Sequence, residues 1–369
     1  MVMKEWFYIN NINETDSPAL VIYPKRVSKN IELAKEMIGD AARLRPHVKT
    51  SKIAEVCTMM MEAGITKFKC ATIAEAEMLA QIKAPDVLLA YQPVGPKVLR
   101  LIALIKMYPQ TRFSCLVDNA EIAWQLAGLC EENKITLPVF IDINVGMNRT
   151  GILPDKAFLL LQIIKDWQAL YIKGLHVYDG HIHDKDFTLR KQKSDAAFAD
   201  VEALLQQASG LFTHLLKIIT GGTPTFPVHV QRANVECSPG TFVFWDWGYK
   251  HGLPDEPFEY AALLITRIIS VINEQTICVD LGHKSVAAEN PLPRVHLLNA
   301  LDAIPVSQSE EHLVLQVPVG NEYKAGDVLY GVPVHICPTV ALYDVAHTVI
   351  NNKITGSWEV IARNRKITV

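Results

Sequence analysis

The sequence predicts an α/β protein: a TIM (β/α)8 barrel followed by a smaller, mostly antiparallel β domain. From about residue 20 to residue 240, short β-branched runs alternate with longer amphipathic runs, which is typical of parallel strands joined by helices. About eight such units occur, the number that closes a parallel barrel. From residue 258 onward, strand-like runs follow one another without crossover-length helices between them. We therefore expect a barrel at 13–257 and a β domain at 258–369, with 1–12 as a candidate addition to the second.

Most of the expected barrel strands end in polar or glycine-rich sequence. A barrel gathers the C-terminal ends of its strands around one mouth, so these polar residues predict a site there. An open, doubly wound sheet is the alternative architecture. The barrel strands are predicted at 43–49, 67–72, 86–91, 112–117, 137–143, 172–178, 217–220 and 234–238, and helices at 51–63, 73–80, 119–130, 155–167 and 189–209. In the β domain we expect strands at 262–272, 276–280, 313–317, 327–332 and 357–363, and a further strand at 6–12.

Composition excludes several classes of partner. The 369 residues carry a formal net charge of -3 with a pI near 6.5, so neither a nucleic-acid surface nor a membrane surface is expected. No run of about 18 apolar residues is present, and the first residues lack the pattern of a signal peptide. The seven cysteines are scattered and odd in number. We therefore expect a cytoplasmic protein with reduced, buried thiols, Cys337 excepted.

Lys49 is the first candidate for chemistry. It ends the run that includes Arg45 and His47, at the C-terminal end of the first predicted barrel strand. Partial burial and cationic neighbours would lower the pKa of an amine there, as attack on a carbonyl requires. A solvated surface lysine is the ordinary alternative.

Two glycine-containing loops are candidates for binding an anion. Gly221-Gly222-Thr223 follows the seventh predicted strand, and Gly240-Thr241 follows the eighth. Glycine permits close backbone approach and the hydroxyls add donors, and in barrels these two loops commonly hold phosphate. Taken alone, each is equally well explained as a tight turn.

Arg149 and the pair His335 and Cys337 complete the candidates. Arg149 lies between glycines just past the fifth strand, where a guanidinium could face a phenolate oxygen, although an exposed loop arginine is the alternative. His335-Ile336-Cys337 lies in a run with strand character, and residues i and i+2 of a strand face the same side. Imidazole and thiolate are both zinc ligands, but a lone pair of this kind is weak evidence for a metal site.

These motifs together resemble a known family. Arg45-Pro46-His47-Val48-Lys49-Thr50, Gly221-Gly222-Thr223-Pro224-Thr225, Ser238-Pro239-Gly240-Thr241 and His335-Ile336-Cys337-Pro338-Thr339 occur in the order found in the fold-type III pyridoxal phosphate (PLP) enzymes of the D-serine dehydratase and D-threonine aldolase family, whose barrel is shared with alanine racemase. The resemblance implies a small-molecule D-amino acid substrate and a homodimer. It also implies site residues: Lys49 as the Schiff-base lysine, Arg149 at the phenolic oxygen, Tyr178 near the pyridine ring, Gly222, Thr223, Gly240 and Thr241 at the phosphate, and His335 and Cys337 at a divalent metal, expected to be Zn²⁺.

The sequence departs from the family pattern in two places. Ser51 stands where the family usually has a histidine, and the segment 178–183, with His181 and His183, differs from the usual dehydratase version. His-x-Cys at 335–337 resembles the dehydratases, so we expect a lyase that removes water from a D-3-hydroxy amino acid. Retro-aldol cleavage is the alternative. A racemase would need a second base such as Tyr323 or Tyr330, and a non-catalytic PLP-binding protein would need the barrel alone.

Overall fold

The computed structural model describes residues 5–369, which form two compact units. The β unit comprises the described residues up to Leu33, together with Thr50–Val56 and Thr241–Arg363. The barrel unit comprises Ala34–Lys49, Cys57–Gly240 and Asn364–Val369. The chain opens with strand β1 (Ala19–Ile22) and helix α1 (Pro24–Ile38). The sequence boundary proposed at residue 258 stays a prediction.

The barrel unit contains a parallel sheet of seven strands in sequential order, which confirms the predicted barrel class. Each predicted strand from 67–72 onward is present within a few residues of its expected bounds. The strands are β2 (Lys67–Cys70), β3 (Asp86–Leu89), β4 (Arg112–Val117), β5 (Leu137–Ile143), β6 (Leu170–Val177), β7 (Lys217–Thr220) and β8 (Val235–Cys237). The helices are α2 (Ala54–Glu62), α3 (Ile73–Gln81), α4 (Pro96–Met107), α5 (Ala120–Glu132), α6 (Pro154–Ile164), α7 (Phe187–Gln207) and α8 (Phe226–His229).

The segment 44–48 joins the two edges of this sheet, and we call it the closing segment. Leu44 bridges Cys237 of β8 and His47 bridges Lys69 of β2, both in parallel. The prediction of a regular strand at 43–49 is wrong, because a 3-10 helix occupies Ala41–Arg43 and Pro46 has no N–H to give to a ladder. The segment nevertheless takes the place of the first strand, which excludes the open-sheet alternative.

Local sequence explains where several barrel helices begin. Thr72 accepts a hydrogen bond from Glu75 N at 3.1 Å and starts α3, and Asn119 accepts one from Ile122 N at 3.1 Å and starts α5. Asp186 caps α7 through Leu189 N at 2.8 Å. Such side chains satisfy amide groups that have no partner inside the helix, so each cap fixes the turn from a strand end into its helix.

The β unit is built on a mostly antiparallel sheet. Its strand β1 pairs in parallel with the strand Val345–Ile350 and antiparallel with the strand Ala262–Asn273. Its further elements are α9 (Trp247–Gly252), β9 (Ala262–Asn273), β10 (Thr276–Val279), β11 (Val295–Leu297), β12 (Ile304–Gln308), β13 (Leu313–Gln316), β14 (Val328–Pro333), α10 (Ile336–Val340), β15 (Val345–Ile350) and β16 (Lys353–Glu359). The strand expected at 6–12 is wrong, since that stretch forms turns that lead into a 3-10 helix at Ile12–Glu14. The strand expected at 357–363 lies earlier, as β16, and a 3-10 helix follows at Ile361–Arg363.

Across residues 5–369, no helix has both the length and the apolarity needed to cross a bilayer. Six of the seven cysteines are buried free thiols, as expected from the sequence, and Cys337 is half-buried.

Candidate functional site

Lys49 directly follows the closing segment, at the end of the barrel where the parallel strands have their C-termini. The backbone before it is fixed on both sides, because His47 N donates to Pro239 O at 3.0 Å and Val48 N donates to Lys69 O at 2.9 Å. Lys49 N donates to His47 Nδ1 at 3.3 Å, and the Lys49 side chain is half-buried. The amine therefore extends from a rigid backbone position.

Arg45 does not present an uncompensated charge to Lys49, contrary to the expectation from sequence. Its side chain is fully buried, with Nη1 2.6 Å from Asp86 Oδ1 and Nε 2.7 Å from Glu236 Oε2. The two carboxylates balance the guanidinium, as a buried charge requires. Arg45 thus ties the closing segment to β3 and β8.

The basic group whose charge interacts with that of Lys49 is Lys69, which no sequence motif marks. Lys69 is 2% exposed, and its Nζ lies 3.2 Å from His176 Nε2. His176 Nδ1 lies 2.7 Å from Asp142 Oδ1. A carboxylate only accepts, so Nδ1 carries the proton and Nε2 accepts from Lys69. Three strands, β2, β6 and β5, thus contribute one side chain each to a continuous hydrogen-bonded line.

The protonation states of Lys69, His176 and Asp142 follow from their burial and from the groups around them. Burial lowers the pKa of Lys69 to about 7, and the charge of Lys49 acts in the same direction. Burial and the charge of Lys69 lower the pKa of His176, which favours the neutral ring. Burial alone would raise the pKa of Asp142, but the hydrogen bond from His176 holds it below its usual value.

The side chains of Tyr178 and Arg149 lie close to each other, and Tyr178 also lies near Lys69. Lys69 Nζ lies 5.4 Å from the centroid of the Tyr178 ring, and Arg149 Cζ lies 5.0 Å from it. The Arg149 loop is shaped by Gly151, which has a φ of +98°. A Cβ at that position would lie 2.8 Å from Asn144 N, so the loop requires glycine there. Arg149 and Tyr178, both predicted from the sequence, are therefore adjacent, with the Arg149 guanidinium close to the Tyr178 ring.

The two glycine-containing loops are also joined. Gly240 N donates to Thr223 Oγ1 at 3.0 Å, so the loop after β8 is bonded to the loop after β7. Gly221 has a φ of +64°, and a Cβ on Gly222 would lie 3.0 Å from Tyr178 Cε2. Among the buried polar side-chain atoms of residues 5–369, the hydroxyl oxygen of Ser238 is one of the few without a hydrogen-bond partner. This combination of open backbone and an unsatisfied donor is suited to an anion.

A buried network behind these loops was not predicted. Asp179 accepts from Thr225 Oγ1 at 2.7 Å, from His229 Nε2 at 2.8 Å and from Ser194 Oγ at 3.1 Å. Burial would raise the pKa of Asp179, but His229 and the two hydroxyls hold it below its usual value. The carboxylate thereby fixes the loop that carries Gly222.

The remaining predicted residues lie in the β unit. Thr241 Oγ1 lies 3.4 Å from Cys337 Sγ, and Thr50 Oγ1 lies 3.1 Å from the same atom. His335 Nδ1 lies 2.6 Å from Glu289 Oε1. Burial opposes ionisation of Cys337, but the hydrogen bond and charge of His335 outweigh it and lower the pKa of the thiol. Burial likewise opposes the imidazolium, yet Cys337 raises the pKa of His335 to about 9.

The geometry of that pair differs from the expected one. β14 ends at Pro333, and His335 is the extended residue that precedes helix α10, so the argument from strand alternation is wrong. The two side chains meet because Cys337 lies in the first turn of α10 and His335 just before it. No cluster of three or more potential metal ligands occurs within the described part of the chain.

Other residues considered from sequence have structural partners. His183 Nδ1 donates to His181 O at 2.9 Å, within the same loop. Tyr330 Oη accepts from Ile9 N at 3.2 Å, and Tyr323 Oη donates to Asp302 at 2.6 Å. Neither tyrosine is therefore favoured as the second base of a racemase. Ser51 is buried in the β unit.

The alanine racemase N-terminal domain family model matches residues 22–243. The chain belongs to this family. A second model, described as "Putative serine dehydratase domain", matches residues 261–349. The chain is 26% identical to D-threonine aldolase of Arthrobacter sp, over 94% of this chain and 93% of the relative. It is 27% identical to D-threo-3-hydroxyaspartate dehydratase of Delftia sp. (strain HT23), over 63% of this chain and 62% of the relative.

Solved structures show the same fold. D-threonine aldolase from Filomicrobium marinum superposes with a TM-score of 0.87 at 24% identity, covering 95% of this chain and 96% of that one. A variant of D-threo-3-hydroxyaspartate dehydratase with one cysteine replaced by alanine, described as the metal-free form, has a TM-score of 0.80 at 20% identity, covering 94% and 97%. The family is that of the fold-type III PLP enzymes, and the relatives include lyases named for D-hydroxy amino acids.

Proposed function

We propose that this chain is a PLP-dependent lyase acting on a D-3-hydroxy amino acid, with Lys49 as the residue that holds the cofactor. The main support is the arrangement at the end of the barrel. There the half-buried amine of Lys49 follows the closing segment, and the two glycine-containing loops are joined by a hydrogen bond. Arg149 beside Tyr178 adds a cation where a phenolate would be stabilised. The names of the relatives supply the class of reaction and substrate.

The residues present fit PLP. Gly222, Thr223 and Gly240 would hold its phosphate, with Ser238 adding a hydroxyl that has no partner among the described residues. Thr241 is proposed as a further phosphate contact and Tyr178 as the neighbour of the ring. When bound, PLP supplies an electron sink that stabilises negative charge at the substrate Cα.

Lys49 has a second role in this proposal. With cofactor and substrate bound, the free amine of Lys49 would take the proton from Cα as general base. The hydrogen bonds that fix the backbone before Lys49 would restrict the positions open to its amine, which would lower the entropy cost of the transfer.

We further propose that His335 and Cys337 hold a divalent metal, Zn²⁺ being our expectation. The lowered pKa of Cys337 favours the thiolate, the form that ligates metal. The metal-free cysteine variant of the dehydratase relative supports the assignment by analogy. Two protein ligands would leave positions open for the β-hydroxyl of the substrate, making hydroxide a better leaving group.

Dehydration is the reaction we favour, because Cys337 gives the chain the His-x-Cys motif that resembles dehydratases. Retro-aldol cleavage is the second candidate, favoured by the nearly full-length match to D-threonine aldolase. In that reaction a base removes the β-hydroxyl proton and the Cα–Cβ bond breaks, where dehydration removes the Cα proton and breaks the Cβ–O bond.

Product analysis separates the two reactions. The purified protein, reconstituted with PLP and Zn²⁺, is incubated with D-serine, D-threonine and D-3-hydroxyaspartate. A 2-oxo acid with ammonia is the expected outcome, whereas glycine with an aldehyde would make the chain an aldolase. Turnover of none of these compounds contradicts the proposed substrate class.

Peptide mapping tests the role of Lys49 independently of turnover. Borohydride reduction of the PLP-loaded protein should place the pyridoxyl group on Lys49, and Lys49→Ala should carry no label. Lys52→Ala is the matched control, because Lys52 lies three residues further along the chain and should not affect labelling. Label on Lys52 or Lys69 in the unchanged protein would overturn the assignment.

A further inference from the structure

We propose that Lys69 is a positioning residue for Lys49: a buried amine, held by His176 and Asp142, whose neutral form allows Lys49 to become cationic. This inference rests on the proposed function, in which Lys49 takes up a proton. Nothing in the sequence motifs assigns a role to Lys69. Its geometry does, because the Lys69 amine is 2% exposed and a hydrogen bond to His176 fixes its orientation, with no carboxylate of residues 5–369 paired to it directly.

The first step is the fixed orientation of the amine. His176 accepts one Lys69 hydrogen at 3.2 Å and is itself held by Asp142 at 2.7 Å. Lys69 Nζ remains on the Tyr178 side of this contact, 5.4 Å from the ring centroid. A flexible lysine stem is thereby reduced to one position, at the same end of the barrel as Lys49.

The second step is the charge around Lys69. On the neighbouring closing segment and directly after it, Arg45 and Lys49 disfavour its protonated form, and burial disfavours it most. From the ends of β5 and β6, the carboxylates of Asp142 and Asp179 favour it. These opposing effects bring the pKa of Lys69 to about 7.

The third step is the consequence for turnover. When the Cα–H bond of the substrate breaks, its proton goes to Lys49 and makes an ammonium group. The charge of Lys49 disfavours a proton on Lys69, and the effect is mutual, so this transfer is easier when Lys69 is already neutral. Activity should therefore fall as pH drops through the range in which Lys69 gains its proton.

The pH profile of kcat tests this. Wild type should lose activity on the acid side with a midpoint near pH 7. Lys69→Met, which carries no charge, should lose that limb and retain activity at about pH 6, one unit below the pKa of Lys69. Lys69→Arg, a permanent cation, should be about tenfold slower than Lys69→Met, as a proton affinity changed by about one pKa unit predicts. Lys67→Met is the matched control, since Lys67 lies on the same strand but pairs with Glu236, and it should keep the limb.

A second measurement does not depend on activity. In cofactor-free protein with lysine labelled at ¹³Cε, the Lys69 signal, assigned by its absence from Lys69→Met, should titrate near neutral pH. Asp142→Asn removes a carboxylate that favours the ammonium form, so it should move the midpoint to lower pH. Titration of Lys69 near its ordinary value of about 10.4 would overturn the proposal, as would an unchanged acid limb in folded Lys69→Met. Loss of the pyridoxyl label from Lys49 would instead contradict the proposed function, and the NMR result would still stand.

Discussion

At the scale of single residues, the candidate site contains buried charges that are held by hydrogen bonds or by opposite charges. Asp179 shows this best: it is 1% exposed and accepts hydrogen bonds from His229, Thr225 and Ser194. Because its pKa is held below the usual value, it stays ionised throughout the physiological range. Its stabilisation is therefore present above the unfolded pKa of about 3.9 and is lost as pH falls through the lower folded value.

Asp179→Asn should lower the free energy of unfolding of the cofactor-free protein by about 1–3 kcal/mol, because the amide cannot satisfy all three donors. PLP binding should weaken in parallel, since Thr225 loses the anchor that fixes the loop of Gly222. Urea unfolding and a PLP binding titration measure the two effects. Asp195→Asn is the control: its half-exposed pairing with Arg232 should be worth less than about 1 kcal/mol. Equal effects of both variants would contradict this account.

Sequence motifs suggested Lys49, Arg149 and the glycine-containing loops as site residues, because each follows a strand or, for Lys49, the closing segment. Lys69, His176 and Asp142 were missed for a physical reason: each lies inside a mostly buried strand with no motif around it, and only the curvature of the sheet brings β2, β5 and β6 together. The available clue was alternation. In Lys67-Phe68-Lys69-Cys70 the polar residues recur with period two, which places both lysines on the same face of the strand.

At the scale of elements, the sequence predicted the parallel strands closely but not the two interrupted ones. Pro46 prevents a continuous ladder in the closing segment, yet Arg45 N still donates to Cys237 O at 2.9 Å. The run at 335–337 has the composition of a strand, but Pro338 has a fixed φ and no N–H, which suits the first turn of α10. Propensity alone could not tell a strand end from a helix start there.

The next prediction concerns the metal that we propose is held by His335 and Cys337, at the turn from β14 into α10. Removing the metal with a chelator should abolish turnover while PLP stays bound, since the proposed PLP contacts are mostly in the barrel unit. Cys337→Ala should likewise lose metal and activity. Cys278→Ala, which removes a buried thiol of the same unit, should keep both. Elemental analysis of each preparation measures the metal, and full activity in a verified metal-free sample would refute the role.

At the scale of the whole molecule, the nine predicted site residues fall in two units. Lys49, Arg149, Tyr178, Gly222, Thr223 and Gly240 belong to the barrel unit, and Thr241, His335 and Cys337 belong to the β unit. The resemblance to the PLP enzymes predicts a homodimer in which each barrel mouth is closed by the smaller domain of the other subunit. Such closure would exclude water from the reacting carbanion, and one self-complementary contact would serve both sites.

Subunit complementation tests that arrangement. Inactive Lys49→Ala chains are mixed with inactive His335→Ala chains under conditions that allow exchange. If each site takes Lys49 from one chain and His335 from the other, a hybrid dimer has one site with both lesions and one intact site, so activity should return to about half of wild type per hybrid. If each chain builds its own site, every site in the hybrid keeps one lesion and no activity returns. If sedimentation shows a dimer but no activity returns, the protein is a dimer whose sites are not shared between chains. A monomer at working concentration would contradict both the dimer and the shared site, because no second chain would then be present to close the barrel.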